Sequence, residues 1–481
     1  MTDKKTTKIS TILNELHNEK INTWFDLGLF MDKFKEKNLP SVFKGNASTF
    51  DTHLENGGIA FLTFYFTIDG ITVETEKYAK TFKSIYPDIP IHFIAGEIKQ
   101  EADELIPKTA FRKVIPEMEA FDAWPLYKDF FQITMERGCE AYNSLIGKFW
   151  KEVLVLVEKL GSYIEEHDIS LLYLINVCSN PGNVSLALAT VLISEYLGIP
   201  VINNNHDFYW EGGNREVEIK KKGLKKGPRD FFFHNAHVGE FFSIIETIYP
   251  WESRSWMNVN INRIQQDHLI NVNGHNPANV ALLGTAVDTK LHQMSKRDII
   301  KAFMQVSTIF ANKKDSITVH TAAHHTESKR SLKPILLGHK TIKNFDFVNN
   351  NIVFLQPTRV ISRKSIELNF KLIKRLFSYD SFAEKFHTNP QLKLSLIVSG
   401  PIPHGQQNYY HDLKKDFSDF LKELPKAFKS RVLLGFLFSE FDKNDFKKKH
   451  EKPLDIEQLF DVASLILLPN IFSNALISCC H

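Results

Sequence analysis

The sequence predicts an α/β protein built from two doubly wound, Rossmann-like domains, and three observations carry that expectation. Apolar runs of strand length alternate with helical stretches in the first half of the chain, the alternation breaks off, and it restarts in the second half. A chain of 481 residues exceeds what one hydrophobic core usually serves. No internal repeat of 20 to 50 residues interrupts this grammar, so a solenoid is not indicated.

The elements follow in order. Residues 1–55 read as a lysine-rich helical extension with Leu13, Leu16, Trp24, Phe25, Leu27 and Leu29 as its apolar positions. Asn56-Gly57-Gly58 is a turn signal, and Ile59 to Phe66 (IAFLTFYF) is an apolar run of strand length. Thr67-Ile68-Asp69-Gly70 then leads into a helix over 72–84 and a second strand from Pro90 to Ala95, which makes a βαβ unit. Leu171 to Val177 reads as a further strand, Cys178 to Asn183 as a turn and Val184 to Leu197 as an apolar helix. Gly198 stands where a helix C-terminus takes a left-handed residue, and Ile199 to Asn203 is the next strand. In the second half the strands are 351–355, 392–399 and 431–436, with a helix over 365–377. Residues 312–350 are polar and without clear period, which suits an insertion or connection. The expected division is therefore 1–55, 56–340 and 341–481.

Composition removes several classes of function. A formal charge of +3 is small against 59 basic and 56 acidic side chains, so no nucleic acid partner is called for. No segment gives 18 consecutive apolar residues, so no membrane-spanning helix is expected. The polar start MTDKKTTKIS is no secretory signal, and Cys139, Cys178, Cys479 and Cys480 form neither a CxxC pair nor a zinc spacing. A cytoplasmic protein with reduced thiols is the expectation.

In doubly wound sheets ligands bind beyond the carboxyl ends of the strands, so the loops after strands are where chemistry is sought. The loop from Asn203 to Glu211 (NNNHDFYWE) gathers His206, Asp207, Glu211 and three aromatic residues. Aromatic faces stack on pyranose rings while imidazole and carboxylates hold hydroxyls, so this composition fits a sugar site; a loop whose aromatics fill the core is the other reading. In the second half, Gln356-Pro357-Thr358-Arg359 leads to Arg363-Lys364. Arg359 offers a bidentate fork and Lys364 a point charge, which suits a departing diphosphate; from spacing alone they read sooner as solvated surface residues. Arg363 is expected to point elsewhere. Ser399-Gly400-Pro401 reads as a donor-side loop or as structural punctuation. His320, His324 and His325 lie in a Thr/Ser/Lys-rich stretch without an acidic partner, so no metal site is expected, and Lys220 to Lys226 reads as a solvated charge run.

Thr67 to Thr75 (TIDGITVET), Ile94-Ala95-Gly96-Glu97, Ile199-Pro200-Val201-Ile202 with His206 to Glu211, and Gly284 to Asp288 (GTAVD) together resemble family-four retaining glycosyltransferases, in particular a microbial branch with an HDFYWE loop. The resemblance covers about residues 59–478. It implies the GT-B fold, with an N-terminal acceptor lobe, a C-terminal nucleotide-sugar lobe and a reaction in the cleft between their sheets. It places His206 beside the transferred sugar, Gly70 where the first loop approaches the donor phosphates, and Arg359 and Lys364 on the diphosphate. Asp207, Trp210 and Glu211 are expected at the sugar or acceptor. The implied reaction moves a hexose from a nucleoside-diphosphate sugar to a hydroxyl of a small carbohydrate or similar acceptor, without a cofactor or metal.

The sequence departs from the family in two places. Asn204 and Asn205 stand where the branch often has further histidines, which points to a different acceptor. The family's two glutamates, eight positions apart near the end of the donor lobe, align with Asn470 and Ser478, and no carboxylate side chain follows Asp461. A donor domain that is incomplete is therefore expected. A non-catalytic or degenerate sugar or nucleotide-sugar-binding homologue is the alternative reading, and a GT-B phosphorylase, for which no motif is seen, a more distant one.

Overall fold

The computed structural model describes residues 8–36, 47–211 apart from 68 and 132, and 238–285, then 297, 300, 301, 303, 304, 307, 310, 319–321 and 334–400 apart from 343, 344 and 346, and finally 402, 407–437, 463, 465 and 466. The chain divides into two compact units, Met1–Ala286 and Val287–His481.

The first unit is built on a seven-stranded, wholly parallel sheet. Its strands are β1 (Ile59–Leu62), β2 (Ile91–Ala95), β3 (Phe111–Val114), β4 (Leu171–Ile175), β5 (Val201–Asn205), β6 (Trp256–Asn260) and β7 (Val280–Leu282), in the order β3-β2-β1-β4-β5-β6-β7. The winding runs from β1 to β3 in one direction and from β4 to β7 in the other. The strand order thus reverses between β1 and β4, and the loops that open there are the ones a doubly wound sheet offers to a ligand. The apolar run from Ile59 does not stay one strand: β1 ends at Leu62, and Tyr65–Phe66 pairs instead with Glu97–Ile98 in a separate parallel ribbon.

Helices cover both faces. On one side α3 (Ala47–Gly57) and α4 (Gly70–Ile85) pack over Phe61, Phe93, Tyr173 and Ile175. On the other lie α5 (Tyr127–Phe131), α6 (Glu140–Glu166) and α7 (Val184–Leu197). Thirteen of the fourteen residues of α7 are buried, so its polar groups need partners inside the protein. Ser185 donates to Glu152 at 2.8 Å, and Glu195 accepts from Trp251 at 3.0 Å. Gly198 ends α7 at φ +67°, the left-handed cap that the sequence predicts.

The N-terminal helices α1 (Lys8–Asn18) and α2 (Trp24–Glu36) belong to this core and are not an appendage. Glu165 of α6 accepts the N–H groups of Lys8 and Ile9 at 2.8 and 3.0 Å, satisfying two of the free donors of the first turn of α1. Trp24 donates to the Tyr142 carbonyl at 3.1 Å and packs against Phe130, Phe149 and Phe241. Leu16, Trp24 and Leu27 are buried as expected, whereas Phe25 is 68% and Leu29 43% exposed, because the inward stripe runs through Leu27, Phe30, Met31 and Phe34.

The second unit holds a six-stranded sheet of β8 (Val319–Thr321), β9 (Ile335–Gly338), β10 (Asn351–Gln356), β11 (Lys393–Val398), β12 (Val432–Phe436) and β13 (Leu465–Ile466), ordered β8-β9-β12-β11-β10-β13. All pairs are parallel except β9 with β12. Here too the order reverses beside the first strand of the wound segment, between β10 and β13. The boundary expected near residue 340 moves to follow Ala286. Residues 319–338, assigned by sequence to the first domain, contribute β8 and β9 to the second sheet, with Ile335 paired to Phe436 and Leu337 to Leu434. Strands of three and four residues carry too little pattern to be seen in a polar stretch.

One buried group gives the first unit a pH-dependent stability. His92 on β2 is 2% exposed, its Nδ1 lies 3.0 Å from the Tyr163 hydroxyl, and its ring stacks on Phe111. Burial, with a smaller contribution from His167, pushes its pKa down to about 4. The unfolded chain takes up this proton near pH 6.5, so from there down to about 4 the unfolded state binds more protons and stability falls as pH falls. The urea midpoint should therefore decrease between pH 7 and 5 more steeply in the native protein than in His92→Asn. An equal decrease in both would assign the effect to other groups.

Candidate active site

Each unit presents one organised loop region at its reversal of strand order, and each is described by itself. In the first unit the decisive residue is Asn176, directly after β4. It is 7% exposed and adopts φ +61°, a left-handed conformation that asparagine tolerates better than most residues. This backbone turn aims its side-chain carbonyl across to the end of β5. There Oδ1 accepts the N–H groups of His206 at 2.8 Å and Asp207 at 3.1 Å. The loop after β5 is thus pinned to the end of β4 at its two chemically interesting residues. Nothing in the sequence reading singled out Asn176; a polar residue directly after the apolar run LLYLI was the available signal.

His206 is turned inward. Its Nε2 is buried and has no hydrogen-bond partner among the described residues. Burial holds the imidazole pKa below its ordinary value; Glu74 and Asp207 act in the opposite direction and Lys77 adds to the lowering. The ring is therefore neutral near pH 7. The loop before α4 closes the neighbouring edge of this region. Asp69 caps α4 by accepting from the Thr72 N–H at 2.9 Å, while Thr72 Oγ1 accepts from the Thr67 N–H at 3.1 Å. Gly70 is the first residue of α4, and a Cβ placed there would meet nothing within 4 Å. No neighbouring atom of the described residues requires glycine at this helix N-terminus.

The other two loop residues assigned to a sugar or acceptor serve the loop itself. Trp210 stacks on Phe208 at 4.1 Å and on His268 at 4.3 Å between ring centroids, so its stacking surface is taken up by protein rings. The Glu211 carboxylate accepts the Phe208 N–H at 2.9 Å and receives the Gln265 amide at 3.1 and 3.0 Å on its two oxygens. Gln265 also donates to the His206 carbonyl at 3.2 Å. The geometry makes Trp210 and Glu211 supports of the His206 turn; Asp207, half-buried, stands in it.

In the second unit Gln356, the last residue of β10, plays a comparable part. Its amide donates to Thr358 Oγ1 at 3.1 Å and to the Lys364 carbonyl at 3.5 Å, and its carbonyl accepts from Asn369. Ile366 is held by the Tyr409 hydroxyl at 3.0 Å, which in turn donates to Glu367 at 2.6 Å. The segment carrying Arg359, exposed, and Lys364, half-buried, is therefore folded around a carboxamide. Gly400, after β11, abuts this segment: a Cβ there would overlap the Thr358 carbonyl and the Arg359 nitrogen, so the close approach of the two loops demands glycine. Asn369, Tyr409 and Gln265 were not distinguished by the sequence reading, since buried carboxamides and a helix tyrosine carry no motif.

Among the described residues no group of three or more His, Cys, Asp or Glu side chains is placed to hold a metal, and no helix is long and apolar enough to cross a membrane. His320 lies on β8; His324, His325, Lys220 to Lys226, Asp288, Asn470 and Ser478 lie outside the described residues.

No family model matches the chain. Mannosylglucosylglycerate synthase of Petrotoga mobilis (strain DSM 10674 / SJ95) is 23% identical over 425 residues, covering 84% of this chain and 75% of the relative. Among solved structures, Anabaena Alr3699/HepE in complex with UDP and glucose is similar at a TM-score of 0.43 and 12% identity, over 85% of this chain and 73% of that one. WaaG, a glycosyltransferase involved in lipopolysaccharide biosynthesis, is similar at a TM-score of 0.41 and 11% identity, over 85% and 74%.

Removing the Asn176 carboxamide leaves two N–H groups of a half-buried turn without an acceptor, which costs about 1–3 kcal/mol. Asn176→Ala adds the strain of a left-handed alanine, about 1–2 kcal/mol, and Asn176→Gly does not. Both variants should unfold at lower urea concentration than the native chain, alanine before glycine. Equal midpoints for all three would show that Asn176 does not hold the loop.

Proposed function

We propose that the chain is a retaining glycosyltransferase of the GT-B class, moving a hexose from a nucleoside-diphosphate sugar to a hydroxyl of a small carbohydrate or similar acceptor. The observation that carries this reading is the placement of His206: a neutral, inward-turned imidazole on a pinned loop, at the reversal of strand order of a parallel sheet. The likeness to mannosylglucosylglycerate synthase and the ordered sequence motifs support it.

In this scheme the bond between the anomeric carbon and the diphosphate oxygen lengthens first. Negative charge grows on the leaving phosphate, and fixed cations and backbone N–H groups are what lowers its energy. Arg359 and Lys364 are assigned that part, and the open N-terminus of α4 at Gly70 offers N–H groups and room for a phosphate oxygen. His206 is assigned to the transferred sugar, where a neutral imidazole holds a hydroxyl as positive charge develops on the ring. The acceptor hydroxyl then attacks from the face the diphosphate leaves and passes its proton to the departing phosphate oxygen, so no protein nucleophile is needed. Asp207 is assigned to the acceptor side.

Nucleoside diphosphate release from a panel of nucleotide sugars, measured with and without hydroxylated acceptors, tests the reading. Acceptor-dependent release is expected with at least one donor, and His206→Ala should reduce it at least tenfold, about 1.4 kcal/mol in barrier, with the fold intact. Full turnover in His206→Ala would remove His206 from the site; donor binding without release would favour a sugar-binding protein without catalysis.

The charge assigned to Arg359 and Lys364 stands in for a divalent ion. Transfer should therefore persist in EDTA, whereas a strict dependence on Mg²⁺ or Mn²⁺ would overturn the assignment of the leaving-group site.

A further inference from the structure

The buried side of His206 faces a carboxylate that the reaction scheme does not use. Glu74, on the second turn of α4, is 4% exposed. Lys77 Nζ binds one of its oxygens at 2.6 Å, while Oε2 is buried without a partner among the described residues. Across from α4, Asn204 Oδ1 and His206 Nε2 are likewise buried without partners among the described residues.

The register of helix against sheet shows which groups are level. Asn204 donates to the Tyr173 hydroxyl at 3.0 Å, and the Tyr173 ring lies 5.1 Å from that of Tyr78, so Tyr78 on α4 stands opposite Asn204 on β5. A helix that returns over a parallel sheet runs against the strands. Going back from Tyr78 to Glu74 climbs four helical residues, about 6 Å, toward the carboxyl ends of the strands. Going forward from Asn204, next to last in β5, to His206, the first residue beyond the strand, climbs in the same direction, by at most about 6.6 Å. The helix step keeps to the facing side, since i and i+4 share a helix face, and at the sheet end Glu74 is among the charges that act on the His206 imidazole. Glu74 therefore arrives near the level of His206; its Oε2, His206 Nε2, Asn204 Oδ1 and the Tyr78 hydroxyl are buried there without a hydrogen-bond partner among the described residues, and Glu74 also acts on Tyr78.

We infer that Glu74 is the positioning residue of His206: its buried carboxylate favours the tautomer with the proton on Nε2 and leaves Nδ1 as the nitrogen that meets the substrate. The two side chains are not hydrogen-bonded to each other, so the coupling is electrostatic, through an interior where charge is weakly screened. The groups facing the imidazole are Glu74 and Lys77 from α4 and Asp207 from its own loop. Lys77 partly offsets the carboxylate, which makes the pair tunable from the half-exposed lysine end. This inference rests on the reading of the chain as a glycosyltransferase only where turnover is the readout.

The full chain, uniformly unlabelled except for ¹⁵N-histidine, serves for the test. Glu74→Gln should lower kcat at least fivefold, change the donor KM less than twofold and move the acidic limb of the kcat/KM profile to lower pH. Glu74→Asp should recover at least half of the lost kcat. Lys77→Met, at a half-exposed position, should move the same limb to higher pH and serves if Glu74→Gln does not fold. In the ¹⁵N spectrum His206 should show the Nε2–H tautomer in the native chain and a mixture in Glu74→Gln. An unchanged tautomer and pH profile in Glu74→Gln and Lys77→Met, with transfer still lost in His206→Ala, overturns the role of Glu74 alone. If His206→Ala keeps full turnover the proposed function fails, and the tautomer measurement decides the Glu74 assignment by itself.

Discussion

The hydrogen bonds from the His206 and Asp207 N–H groups to Asn176 are the interaction on which the rest of the candidate site depends. A parallel sheet delivers strand ends side by side but leaves the loops beyond them free to diverge. Asn176 removes that freedom at the place where the strand order reverses. The turn is held from the far side as well, by Gln265 on the His206 carbonyl and by Glu211 on the Phe208 N–H. His206 is consequently fixed by its backbone, and the imidazole is left to be oriented by what surrounds it. A catalytic side chain gains from such preorganisation because little rearrangement remains at the moment of reaction.

The second unit repeats the device with a different residue. Gln356 ends β10 as Asn176 follows β4, and each carboxamide ties down the loop that carries the candidate chemistry. A carboxamide suits the task because it donates and accepts without bringing a charge that would need a counter-ion in a buried position. Charge is found in the groups assigned to the ligand, Arg359 and Lys364, in the Glu74–Lys77 pair, and in Glu211 and Glu367, which support the two loops from further out. The two units thus share a principle of construction, a neutral clamp beneath a polar loop, that does not depend on sequence similarity between them.

Much of this was legible from the sequence for a simple reason. Strands buried on both faces appear as uninterrupted apolar runs, so β1, β4, β10, β11 and β12 were found within a few residues, and Gly198 ended its helix as the left-handed cap requires. The histidine loop was found because chemistry at a strand end is compositionally conspicuous. What was not legible depends on contacts distant in sequence. Glu74 reads as one more acid on a solvated helix face until the sheet is placed beneath it. Trp210 and Glu211 have the composition of a sugar site, but Phe208, His268 and Gln265 occupy them. The domain boundary was misplaced because β8 and β9 are too short to show a period, and their membership of the second sheet is decided by pairing with β12.

The central claim, that a loop held by Asn176 carries the transfer chemistry, is tested most directly by the rate of acceptor-dependent nucleoside diphosphate release in Asn176→Gly. Glycine keeps the left-handed backbone and deletes only the clamp. The account predicts a fall in kcat of at least tenfold with the donor KM changed less than threefold, at a temperature where the variant is fully folded. Turnover equal to that of the native chain under those conditions would contradict it.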